Sequence, residues 1–204
     1  AWLVFLAAWG WHYQVPTLEV RLQVVPAEVS AERGAALVRS TIAQLNATHA
    51  EAHAEGWPDG DALPAVVGRA MAPALRQLGV QWQPTWPSAK RSAPDWYFRA
   101  EGIDGMTNPF GLDVILNSRV LPFERPALLA HEYAHLAGFA DESDASVVSW
   151  LACQQGRAAL RYSSALAVLP HLLTGVPSSD RRRLLEPLGE GPRRDLRAIA
   201  ARVE

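Results

Sequence analysis

The chain has 204 residues, 49% of them apolar, and 19 basic against 21 acidic side chains leave a formal charge of −2. That length supports one domain with a sizeable core, and so even a charge balance gives no electrostatic reason to expect nucleic acid as a partner. A single cysteine, Cys153, excludes an internal disulfide framework. It lies in the apolar stretch SVVSWLACQ, where it reads as a small packed hydrophobe.

The opening residues, AWLVFLAAWGWHY, are uncharged and apolar. The run is about half of the ~20 residues that a bilayer-spanning helix needs, and it lacks the basic start and cleavage site of a signal peptide. Residues 1–15 fit the end of a truncated transmembrane helix and its juxtamembrane segment, with Trp9, Trp11 and Tyr13 as an aromatic belt. A buried start of a soluble domain is the other reading. Residues 16–204 are expected to form a single domain.

After Pro26, AEVSAERGAALVRSTIAQLNATHAEAH carries apolar residues at close to helical period and predicts a long helix. WPDGD reads as a turn, and DALPAVVGRAMAPALRQLG as a second helix, irregular at Pro73 and stopped at Gly79. Residues 80–94, with Pro84, Pro87 and Pro94, read as a connecting loop. DWYFRA and GLDVILNS have the composition of strands, and EGIDGMTNPF between them is turn-rich. A small β-sheet is thus expected just before the next helix, which Pro126 can open in its first turn and Gly138 can close in a left-handed conformation. Another helix begins near Asp141, and further helices are expected from Gly156 to about Leu173 and from Ser179 to the end, with breaks at Pro170, Pro177, Pro187 and Pro192. The run Arg181 to Arg183 reads as a solvated helix face.

The helix opened by Pro126 contains HEYAHLAGFADESD, residues 131–144. Side chains four apart share a helix face, so His131 and His135 can reach one ion together. Glu132 lies one residue round, badly placed as a ligand but able to accept a proton from a water at that ion. Two nitrogen ligands and a general base from one helical turn is the mechanical reading of HExxH, and it suits zinc, which takes about four ligands and keeps one position open for chemistry. A third ligand has to come from beyond Gly138, where Asp141, Glu142 and Asp144 are available. Asp141 would complete HExxHxxGxxD, a metzincin-like layout with aspartate in place of histidine; Glu142 would supply a gluzincin-like glutamate from the following helix. Spacing leaves both open. His49 and His53 are also four apart, but no glutamate follows the first. That pair reads as solvent-facing or as packing against the site, rather than as a second metal centre.

Four segments, WGWHYQVP, TNPFGLDVILN, PFERPALLAHEYAHLAGFADESDAS and LRYSSAL, together resemble the bacterial membrane-associated family catalogued as domain of unknown function 3810, regarded as zinc metallopeptidases. The resemblance covers most of the chain. It implies a mainly α (α+β), zincin-like helical domain with a small β-sheet, following transmembrane helices in a bacterial cell membrane. The acids of the family's E-x-E-A-N segment fall on Glu142 and Asp144, which favours Glu142 as the third zinc ligand and gives Asp144 a role beside the ligands; Ser146 stands where the family has asparagine. Asp144 is itself a departure, replacing glutamate.

The function expected is hydrolysis of peptide bonds by a membrane-anchored zinc enzyme. His131, His135 and Glu142 would hold Zn2+, Glu132 would act as general base, and Tyr162 in LRYSS would donate to the oxyanion unless it simply anchors the core. An extended peptide would pair with the strand at 111–117 unless that segment is an ordinary packed strand. The rival is a catalytically silent membrane-anchored metal-binding or sensor module. Basic residues upstream would set the side of the membrane.

Overall fold

The computed structural model describes Leu3 and residues 16–23, 30–81, 85–91, 95–108 and 111–203. Apart from Leu3, the expected membrane segment lies outside the described residues. Among those residues, no helix is long and apolar enough to cross a membrane.

A short helix α1 (Leu18–Arg21) precedes the long α2 (Ala31–Glu55), whose first turn is capped by the Ser30 hydroxyl accepting from the Arg33 N–H at 3.3 Å. Along α2, Val38, Ile42 and Leu45 recur at helical spacing and are buried. They pack with Leu166 and Leu169 of α7 (Ala158–Thr174), forming one of two core clusters. The other joins α3 (Ala62–Gln77) to α5 (Arg125–Leu136) and α6 (Glu142–Gln154), with Met71, Leu75, Leu129, Tyr133 and Val148 wholly buried. Both α3 and α7 run through their prolines, Pro73 and Pro170, where the sequence suggested irregularity or a break. Burial of Met71, Ala74 and Leu75 around the first, and of Leu166 and Leu169 before the second, outweighs the lost backbone bond. Cys153 is fully buried, as its apolar surroundings suggested, and burial pushes its thiol up to about 12.

The sheet is assembled differently from the sequence expectation. DWYFRA is a helix, α4 (Asp95–Ala100), rather than a strand: Phe98 is buried while Trp96 and Tyr97 face out, and Asp95 in its first turn accepts from the Ser118 N–H at 3.2 Å. The strands are β1 (Ala89–Arg91), within the expected loop, β2 (Gly105–Asn108), within the expected turn, and β3 (Asp113–Leu116), in GLDVILNS as predicted. Their order is β1-β3-β2, with Ala89 opposite Val114 in the parallel pair and Thr107 opposite Val114 in the antiparallel pair. β1 and β2 are too short to show a period, and only their pairing with β3 makes them strands. The chain is thus mainly helical with a small three-stranded sheet.

The C-terminal segment forms α8 (Ser178–Leu185) and α9 (Glu190–Val203), separated around Pro187, with Pro192 tolerated in the first turn of α9. Arg202 fastens α9 to the sheet side of the molecule. Its guanidinium donates to both Asp104 oxygens at 2.7 and 2.8 Å and to both Glu124 oxygens at 2.9 and 2.7 Å. The arginine side chain is 7% exposed and Asp104 39%. Arg202→Met, which removes the charge and leaves two carboxylates facing each other, is expected to cost about 2–3 kcal/mol in urea unfolding; fully buried pairs lose 3–5 kcal/mol, and Asp104 keeps part of its hydration.

Candidate metal centre

The end of α5 shapes the site. Gly138 has φ +95°, and the two closing bonds of a left-handed helix stop follow it: Gly138 N–H to His135 C=O at 2.9 Å and Phe139 N–H to Ala134 C=O at 3.1 Å. This turn carries the Phe139 carbonyl back onto His135, whose Nδ1 lies 2.7 Å from it. A carbonyl only accepts, so Nδ1 carries a proton and Nε2 is the nitrogen left to meet an ion.

The helix restarts at Asp141, whose carboxylate caps α6 by accepting from the Ser143 and Asp144 N–H groups at 2.9 and 3.2 Å. The Ser143 hydroxyl, together with these backbone bonds, holds the Asp141 carboxyl below its usual range. They also occupy the group, so the alternative third ligand of the sequence reading is used as a helix cap. Glu142, the first residue of α6, projects over the histidines instead. Its oxygens lie 3.0 Å from His131 Nε2 and 3.6 Å from His135 Nε2, and the two Nε2 atoms are 3.1 Å apart. Donors about 2.0–2.1 Å from a tetrahedral ion are about 3.3 Å from one another, so the trio has the dimensions of a zinc shell. Burial and the neighbouring His135 ring hold His131 below the ordinary imidazole range. Two imidazoles and a carboxylate converging on one point are a donor set for zinc or a similar borderline ion.

Glu132, next to His131 on the helix, packs against the sheet. It is buried, and Thr107 of β2 donates its hydroxyl to Oε2 at 2.8 Å. Burial raises the carboxyl above its usual range, against the opposing pull of the Thr107 bond. β2 approaches so closely that a Cβ on Gly105 would lie 2.7 Å from Glu132 Oε1, which explains a glycine in this strand. A cavity of about 460 Å³ opens beside the histidines, lined by His131, Glu142, Ser146, Trp150, Leu166 and His171, among others.

Two expected roles fall elsewhere. Asp144 is buried and accepts from the Leu18 backbone N–H at 2.8 Å, tying α1 to α6 rather than orienting a histidine. It is Ser146 whose hydroxyl faces His131 Nδ1, at 3.4 Å. Tyr162, expected at the oxyanion, is wholly buried and donates to Asp195 at 2.6 Å, beside His49 and His53. Thr107, the Phe139 carbonyl and His171 were missed. Only Gly138 gave a local signal for any of them, because the others reach the site through packing of distant segments.

The family model described as "Protein of unknown function (DUF3810)" matches residues 1–204, the whole chain. The chain belongs to this family. Comparison of this DUF3810 member with the curated proteins and with the solved structures finds no match.

Proposed function

We propose that this DUF3810 protein is a zinc-dependent peptidase in which His131, His135 and Glu142 hold the ion and Glu132 is the general base. The observation that carries the reading is the convergence of the three donor atoms at 3.0–3.6 Å beside a buried glutamate. Bound zinc would polarise a scissile carbonyl and supply a water that is a nucleophile near neutral pH. Glu132 takes the proton of that water and returns it to the leaving amine. Thr107 fixes the carboxylate by occupying Oε2, and Gly105 allows the strand to lie against it.

The strand offered to substrate is β2. β3, within the 111–117 segment of the sequence reading, is paired on both sides, by β1 and β2; among the described residues β2 is an edge strand, and it lies beside Glu132. An extended peptide added along β2 would bring its backbone towards the histidines, with a side chain entering the cavity that His131 lines. His171 lines that cavity with His131 and Glu142. It takes the oxyanion-donor role that Tyr162, bonded to Asp195, is not positioned to fill. Membrane attachment in a bacterial cell, through the segment containing residues 1–15, completes the proposal.

The test is peptide-library cleavage by the purified protein before and after metal removal. Cleavage lost on chelation and regained with added Zn2+ is expected. Zinc held through His131 and His135 with no cleavage under any condition would make the protein a silent metal-binding module. Zinc content and affinity unchanged by His131→Ala/His135→Ala would reject the site.

A further inference from the structure

The spacing of His49 and His53 on α2 gains a meaning that their own segment does not contain. Packing of α9 against α2 places Asp195 between them: its Oδ2 lies 2.8 Å from His53 Nε2 and 3.7 Å from His49 Nε2. Ligand atoms of all three residues fall within 4.8 Å of one another. Asp195 is 4% exposed, and the same oxygen accepts the Tyr162 hydroxyl at 2.6 Å.

A hydrogen-bonded network accounts for His53, Asp195 and Tyr162. It does not account for His49. Its Nε2 is buried and has no hydrogen-bond partner, a costly condition for a nitrogen that can either donate or accept. The space at that nitrogen is kept by Gly191 of α9, where a Cβ would fall 2.4 Å from both Nε2 and Cε1 of His49. Trp57 packs edge-on against His53 with centroids 5.3 Å apart, and Phe123 lies 6.4 Å from the same ring, so apolar rings flank the cluster.

We propose that His49, His53 and Asp195 form a second divalent-metal site, separate from the His131, His135 and Glu142 trio, that clamps α2 to α9. Two imidazoles and a carboxylate select zinc or a comparably borderline ion over calcium or magnesium. Tyr162 is the positioning residue: its hydroxyl holds the carboxylate in place, as partners of metal ligands do. The role is structural, because no base corresponding to Glu132 accompanies this trio among the described residues.

The experiment is a Zn2+ titration of metal-stripped protein against a chromophoric chelator, with thermal unfolding followed in parallel. Two equivalents are expected for the unaltered chain and one for His131→Ala/His135→Ala, whose Tm still rises with zinc. Adding Asp195→Asn or His53→Gln to that variant should abolish the remaining equivalent and the rise in Tm. A His131→Ala/His135→Ala protein that binds no zinc overturns the proposal, as does a remaining equivalent that both added substitutions leave intact. If the unaltered chain binds one equivalent, lost with His53→Gln but kept with His131→Ala/His135→Ala, the second site stands and the peptidase reading falls.

Discussion

Glu132→Gln is expected to lower peptide hydrolysis by about 100- to 10,000-fold, the range that a positioned general base contributes, while zinc affinity stays unchanged. Glutamine has the shape of glutamate and keeps an oxygen that can accept the Thr107 hydroxyl now bonded at 2.8 Å. The close approach of Gly105 is also preserved, since the side chain occupies the same volume. What is lost is the basic oxygen. The carboxyl sits in a buried position that raises its proton affinity, which suits a group that must accept a proton and later release it. Parallel measurement of hydrolysis and zinc content separates this loss from damage to the metal shell. Hydrolysis retained in full by a zinc-loaded Glu132→Gln protein would remove Glu132 from the mechanism.

Glu142→Ala is expected to weaken zinc binding at the histidine pair by more than about 100-fold, beyond the 10- to 100-fold typical of partners that only support a ligand. Of the three acids after Gly138, its oxygens alone approach both imidazoles among the described contacts, at 3.0 and 3.6 Å. Its side chain is 80% exposed, so removing it opens no cavity in the core and the fold should be preserved. Asp141→Ala makes the contrast. Losing its cap bonds to Ser143 and Asp144 should cost about 1 kcal/mol of stability, read from chemical unfolding, with a far smaller loss of zinc affinity. A chelator-competition series on His49→Ala/His53→Ala backgrounds keeps the two trios apart. The opposite order, with Asp141→Ala the weaker binder, would reject Glu142 as a ligand.

The HExxH helix was legible because everything that defines it is local. Pro126 opens it, His131 and His135 share a face by helical spacing, and Gly138 closes it in the one conformation that glycine adopts without strain. The mainly helical class was legible for the same reason, from apolar periodicity in long segments such as α2. Short segments carried no such information: Gly105 and Asn108 look like turn residues, yet β2 is a strand because β3 and α5 flank it.

The sequence by itself determined the helical class, the pair of histidines with a glutamate beside them, and a choice among three acids. Only the tertiary structure decided that Asp141 caps the helix and Glu142 reaches the histidines, because that depends on how α6 restarts after the turn at Gly138. It also decided that β2 rather than β3 offers an edge, and that Tyr162 and His53 meet Asp195, 33 and 142 residues away along the chain. Helical spacing and caps are set by bonds between residues a few positions apart. Contacts across so many residues exist only once separate helices have buried their apolar faces against each other, and no local pattern encodes which polar groups that packing will bring together.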